Sequence, residues 1–440
     1  MAHNESDLQQ DKQDLFSSSW GNLAGFLVRL SARVPFLYIA GELYGRSKYG
    51  EYVLVIAVAD TFALLASFGF HRSISTFIHA RTSSEEGFVI RHVLILTAGI
   101  GALLASVVIT FADVIVATLN VPHASRLLQF ASTTIPVAAL TEILLAAAAV
   151  RRVIRYEIYS RSMMEPAALT LAAFAFFLLD FQGFGLVAAY VVAKWAAAFV
   201  VAFSFSRLFG VSFLRGTNWD LLYFRKLLSH SAPTSLHELI GVIMTRIDVF
   251  AVGFFFSNAT VGLYAMAQQF VTVIEKVSLS FYSMLMPLLS DALRTSNVTR
   301  VYVQVSAVAM RACLFQLPIA AVFVFFGDVL LSLVGREFAE ASTILSVLAI
   351  GAVINNALGL SEHILVVLRP SANTTASLSA LIFYFAAVYP LQSLWAVTGI
   401  AAAAVLAAAF GNGLRLIMCG RRLSCLRQEL KPQHIQSETS

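Results

Sequence analysis

The chain alternates long apolar runs with short polar links. Windows of about 19 residues pick out about twelve apolar segments, each long enough to cross a bilayer as a helix rising about 1.5 Å per residue. They fall at 20–43, 50–71, 91–119, 126–150, 163–181, 183–207, 233–256, 260–287, 303–334, 338–368, 373–393 and 395–419. Continuous runs of this length, without the period-two alternation of barrel strands, predict a bundle of helices. The run at 303–334 holds Pro318, which removes a backbone hydrogen bond and predicts a kink or an interfacial end there.

Between the sixth and seventh runs, residues 210–229 alternate bulky apolar groups with Arg215, Arg225 and Lys226, the pattern of an amphipathic helix lying on a membrane surface. The segment divides the chain into similar halves. YGEYVLVIAVADTFALLASFGF from Tyr49 matches VGLYAMAQQFVTVIEKVSLSFY from Val261, aligning Gly50 and Tyr52 with Gly262 and Tyr264. Near the far end of each half, Gly185 and Gly399 open helices rich in small residues. An even number of spans per half gives both halves the same polarity and relates them by an axis along the membrane normal. The expected plan is an N-terminal tail at 1–19, an N-terminal lobe at 20–209, the linker at 210–229, a C-terminal lobe at 230–420 and a tail at 421–440. The fold class is therefore all-α, integral to the membrane, with two six-helix lobes related by a pseudo-two-fold axis.

Composition agrees. Residues are 58% hydrophobic and 12% charged, and the mean hydropathy is +0.78, against about 25% charged in soluble domains. The opening MAHNESDLQQDKQDLFSS is polar, with no basic region or small-residue cleavage site, so no cleaved signal peptide is expected. Formal charge is +5, but its placement says more than its sum, and nucleic acid binding does not follow from it. Arg72, Arg81, Arg91, Arg151, Arg152, Arg155, Arg161, Arg207, Arg225 and Arg421 fall in links on one side; the other side holds Arg46, Lys48, Arg126 and Arg336. By the positive-inside rule both termini are cytoplasmic.

The informative residues are ionisable groups inside the runs. Arg29 and Arg33 lie one turn apart on a single helix face of the first run. Facing lipid, each would cost about 2.5–3.5 kcal/mol, so this face should turn toward a wet interior or toward carboxylates on a neighbouring helix. Arg246 lies sixteen residues before Gly262, much as Arg33 lies seventeen before Gly50. Arg311 adds a further cation. Arginine pairs with phosphate oxygens in bidentate fashion, so Arg29, Arg33, Arg246 and Arg311 point to a cationic cavity for an anionic substrate carrying a phosphate or diphosphate. Asp60, Glu142, Glu238, Asp248 and Glu275 are open to two roles: balancing that charge, or carrying a coupling proton or sodium ion. Lys194 is open to snorkelling or to an interior role, and Glu165 and Glu362 are expected to be solvated at span ends.

Other chemistry is not indicated. Gly183 and Gly185 lack the rest of a nucleotide-binding loop. His237-Glu238 begins a zinc-protease pattern that fails at Gly241. His71, His79 and His92 read as water-facing, not as metal ligands, and Cys313, Cys419 and Cys425 have neither zinc nor redox spacing. No cofactor or metal is expected.

The stretch LYGRSKYGEYVLVIAVADTFALLASFGFHRSISTFI resembles the opening of Wzx-type polysaccharide flippases of the multidrug/oligosaccharidyl-lipid/polysaccharide exporter superfamily. SAPTSLHELIGVIMTRIDVFAVGFFFSNATVGLYAMAQQF, followed by MLMPLLSDAL, looks like that family's seventh and eighth helices, with Asp248, Gly262, Tyr264, Ala267 and Pro287 at its recurrent positions. The similarity runs from Trp20 to about Arg422 and is a pattern of small and apolar positions. It implies translocation, without catalysis, of a polyprenyl-diphosphate-linked oligosaccharide across a bacterial cytoplasmic membrane, for lipopolysaccharide or exopolysaccharide synthesis. Membrane lipids, a glycan polymerase and a chain-length regulator would be its partners. By the same resemblance the arginines of the first helix, here Arg29 and Arg33, line the cavity. The competing expectations are a multidrug exporter of the same superfamily and a membrane-bound glycan polymerase, the latter usually marked by a large outer loop that this sequence lacks.

Overall fold

A computed structural model describes residues 33–78, 83–151, 153, 155–181, 183–210, 220–282 and 298–437. Arg29, His79, Arg81, Arg152, Arg215 and Pro287 lie outside them. Among the described residues there is no strand. The long helices are α1 (Gly45–Ala66), α2 (Phe70–Ile78), α3 (Ser83–Thr110), α4 (Thr134–Val150), α5 (Glu165–Leu178), α6 (Gly185–Phe209), α7 (Leu221–Phe255), α8 (Asn258–Tyr282), α9 (Val298–Phe325), α10 (Ser342–Leu368) and α11 (Pro370–Ser437).

Among these residues six helices are long and apolar enough to cross a membrane, or seven if the bent pair Pro122–Ser132 and Thr134–Val150 is one span. Helix α11 is interrupted at Trp395 and at Ala396, whose φ of +50° lies in the left-handed region, so its apolar stretch Ser371–Arg421 divides there. Helix α9 contains Pro318 and runs on to Phe325, ending before the short helix Gly327–Ser332.

The chain forms two compact units, each considered by itself. The first is Ser31–Ala265 with Leu333–Phe338. Its core includes Phe70, Ile74, Val89, Ile90, Ile143 and Leu227. The described part of the expected surface segment is the start of α7, whose first turn is capped by the Asp220 carboxylate accepting from the Leu222 and Tyr223 amides at 2.9 and 3.1 Å. Tyr223 and Leu227 sit in that core, because α7 runs on through the surface segment and turns this face to α2 and α3. Apolar rings such as Phe199 are left exposed, as lipid-facing positions must be.

Helices α1 and α8 cross backbone to backbone. A Cβ on Gly50 would run into the carbonyl oxygen of Asn258 and the amide nitrogen of Gly262; one on Gly262 would meet the carbonyl oxygen of Arg46 and the amide nitrogen of Gly50. Asn258 and Arg46 each stand one helical turn before the glycine on their own helix. The contact is therefore the same in both directions, as at a two-fold axis, and it joins the two glycines that the sequence repeat aligns. A second matched pair follows. Tyr52 packs on Phe36 with ring centroids 5.7 Å apart, while Tyr264 donates to Asp248 Oδ2 at 2.7 Å.

The segment Leu333–Phe338 closes on the same end. A Cβ on Gly41 would strike the Val334 carbonyl oxygen, and Glu337 takes the Arg46 amide at 2.9 Å and the Arg46 Nε at 3.2 Å. Asn120, at φ +56°, donates its side-chain amide to the carbonyls of Gly253 and Phe254 at 3.2 and 2.7 Å.

The second unit comprises Met266–Ser332 and Ala339–Ser440. Helices α10 and α11 approach closely at Gly351, where a Cβ would meet the Val405 side chain. Arg415 of α11 is buried among neutral oxygens. Its Nε donates to Asn373 Oδ1 at 2.7 Å, Nη1 to Asn412 Oδ1 at 2.7 Å and Nη2 to Ser377 Oγ at 2.6 Å, with Glu362 at 3.6 Å.

Candidate functional site: a ladder of alternating charges

The first unit carries its charge in a row. Arg246 Nη2 of α7 lies 3.6 Å from Asp60 Oδ2 of α1, and Asp60 Oδ1 lies 3.8 Å from Lys194 Nζ of α6. Lys194 contacts Glu165 of α5 at 2.8 Å. Glu165 is within electrostatic reach of Arg161, in the π-turn Ile158–Met164, and Arg161 pairs with Glu142 of α4. The order is Arg246, Asp60, Lys194, Glu165, Arg161, Glu142, three cations and three anions in alternation.

Local geometry explains the row. Tyr190 and Lys194 are one turn apart on α6 and share a face; the Tyr190 hydroxyl donates to Asp60 Oδ1 at 2.6 Å, and Lys194 Nζ lies 5.3 Å from the Tyr190 ring. Arg161 and Glu165 are likewise one turn apart. A lone charge in a spanning helix is costly, and alternation gives every member an opposite neighbour. The row is nevertheless accessible: the Asp60 side chain is 27% exposed and that of Arg246 37%.

Arg33 shares an electrostatic neighbour, Tyr52, with the ladder. It is exposed, and its charge reaches Tyr49 and Tyr52; Tyr52 is also within reach of Asp60 and Lys194. Among the described residues no carboxylate lies at ion-pair distance from Arg33. Ladder and Arg33 together carry one net positive charge.

Of the residues expected from sequence, Arg33, Asp60, Glu142 and Arg246 are brought together here. Asp248 is two residues from Arg246 and so points elsewhere on α7; it is buried, accepting from Tyr264 and from the Val249 amide. Glu238 lies at the far end of the unit with His71 and Arg72. Arg311 and Glu275 belong to the second unit, and Arg29 is outside the described residues. Glu165, expected in solvent, is the counter-ion of Lys194, because α5 and α6 pack side by side. His92, expected to face water, is fully buried against Phe88 and Tyr223. Sequence reasoning missed Tyr190 and Arg161; the spacings Tyr190/Lys194 and Arg161/Glu165 were the available signal.

These features define a class: an all-helical, multi-pass membrane protein with ionisable groups arrayed inside its bundle. Solved structures share the fold. An inward-facing multidrug resistance MATE family transporter of the MOP superfamily superposes with a TM-score of 0.75 at 13% identity, over 91% of this chain and 99% of its own. A MOP superfamily transporter from Pyrococcus furiosus, described as having a binding pocket of reverse polarity, gives 0.66 at 14% identity over 95% and 97%. The Vibrio cholerae MATE transporter VcmN in its bent form gives 0.60 at 16% identity over 96% and 98%. No curated protein sequence matches. The polysaccharide biosynthesis protein family matches over residues 15–293, and the chain belongs to that family.

Proposed function

We propose that the protein is a flippase that carries a polyprenyl-diphosphate-linked oligosaccharide across a bacterial cytoplasmic membrane by alternating access, with both termini in the cytoplasm. The observation that carries this reading is the partly exposed Arg246–Asp60–Lys194 step, which shares Tyr52 as an electrostatic neighbour with Arg33. A diphosphate entering there competes with Asp60 for Arg246 and Lys194 and finds Arg33 without an ion-pair partner among the described residues. The guanidiniums grip phosphate oxygens in bidentate fashion, while the polyprenyl tail stays in lipid. Arg29 and Arg311 complete the proposed cationic set, and a glycan polymerase and chain-length regulator are the proposed partners.

The test is surface polysaccharide in cells expressing Arg33→Ala, Arg246→Ala or both, with membrane levels of the protein measured alongside. The reading requires surface glycan to fall at least tenfold in the double variant at unchanged protein level. Full glycan in that variant would refute it, and altered drug susceptibility in its place would favour efflux.

A further inference from the structure

At the opposite end of the first unit from the Gly50–Gly262 crossing, where the charge bias places the cytoplasm, α2 meets α7 through a histidine. His71 Nδ1 lies 3.1 Å from Ser67 Oγ, and His71 Nε2 lies 3.0 Å from Glu238 Oε1. The Ser67 hydroxyl lies 2.7 Å from the Leu64 carbonyl and donates its single hydrogen there when His71 carries a proton on Nδ1. A carboxylate oxygen presents only lone pairs. Protonated, the ring is an imidazolium set between a hydroxyl oxygen and a carboxylate; neutral at Nδ1, it accepts from Ser67 instead.

The surroundings make that proton consequential. The Glu238 side chain is 6% exposed and lines a narrow crevice with Leu64, Leu65, Gly69, Leu239 and Val242. Neither of its oxygens receives an aligned hydrogen bond among the described residues, so what holds it is the charge of its neighbours. Besides His71 its neighbour is Arg72 Nε at 2.5 Å, but the Arg72 side chain is 62% exposed and screened by water. Helix α2 also packs on α3 and α4. On α3, Glu86 is engaged by Arg151, Arg91 lies over the Phe88 ring and His92 stacks on that same ring; on α4, Glu142 is engaged by Arg161. Glu238 is thus the carboxylate that faces His71.

We propose that His71 and Glu238 form a proton-operated latch between α2 and α7. With the proton on Nδ1, His71 and Glu238 attract as opposite charges and hold the two helices together. When that proton passes to water, the Ser67 hydroxyl must leave the Leu64 carbonyl to donate to Nδ1. The ring beside Glu238 is then neutral, and the ion-pair attraction across the two helices is gone. Proton loss and opening of this end become one event. The latch rests on the transporter reading for its purpose, but its existence does not depend on the substrate.

Ser73 Oγ and Ser231 Oγ, on the same two helices, are buried 2.9 Å apart and supply a reporter. In full-length protein with Cys313, Cys419 and Cys425 replaced by serine, the pair Ser73→Cys and Ser231→Cys is oxidised at pH values between about 5 and 9. The latch requires disulfide yield to fall several-fold from the acid to the alkaline end, although thiol chemistry alone runs faster as pH rises. With His71→Gln the yield should be low and follow thiol chemistry alone; with His71→Lys it should stay high; with Arg72→Gln the fall should persist. Identical profiles for His71→Gln and the parent would overturn the latch. Should the cysteine pair fail to fold, the ring nitrogen shifts of His71 in otherwise native protein decide: two protonated nitrogens that become one in Glu238→Gln support it, and no change refutes it. A pH-dependent cross-link with normal surface glycan in Arg33→Ala/Arg246→Ala would sink the substrate reading alone. A flat cross-link with that glycan lost would sink the latch alone.

Discussion

Each unit keeps cations inside the bundle, and the two do so differently. In the second unit the Arg415 side chain is 11% exposed and held by two asparagine carbonyls and a serine hydroxyl, with Glu362 at the margin. In the first, Arg246 is 37% exposed and faces a carboxylate shared with Lys194. A guanidinium enclosed mainly by neutral ligands, with its carboxylate at the margin, has little to exchange. A partly exposed one whose counter-ion is itself divided can trade partners. Exposure, more than the presence of charge, separates the two arginines.

The comparison can be broken by removing its members. Arg415→Met strands Asn373, Asn412 and Ser377 and should lower stability by about 3–5 kcal/mol, read as thermal unfolding in detergent; an unchanged midpoint would show that the cluster carries no load. Asp60→Ala leaves Arg246 and Lys194 facing each other and should cost about 2–3 kcal/mol and abolish surface glycan. The pair Asp60→Asn with Lys194→Gln should recover most of that stability without recovering glycan. Recovery of both would reduce the ladder to structure. Arg246→Ala, the residue being partly exposed, should shift stability by no more than about 1 kcal/mol while cutting glycan output at least tenfold. The smallest effect belongs to Arg33→Lys, which should keep the fold unchanged and retain part of the output if charge alone matters, and little if the planar fork does.

Much of the architecture was legible from the chain. The apolar runs located the helices, and the match of Gly50 with Gly262 anticipated two glycines that meet across a symmetric crossing. The repeat could not show that Tyr52 would rest on Phe36 while Tyr264 bonds to Asp248, because small and apolar spacing encodes the approach of two helices and not the chemistry of each contact. The ladder was half visible. Arg246, Asp60 and Glu142 stood out as charges within apolar runs, but their partners depend on which helices are neighbours and how each is rotated, which periodicity does not fix. Lys194 and Glu165 illustrate this: one was open to snorkelling and the other placed in solvent, until α5 and α6 lay side by side. Surface character misled at Tyr223 and Leu227, where an amphipathic pattern found an apolar protein face in place of lipid.

The crossing of α1 and α8 has a mechanical consequence. Because bare backbone meets bare backbone at Gly50 and Gly262, the approach of the two helices there depends on the absence of any side chain. A single added methyl group on either glycine would wedge the two rods apart.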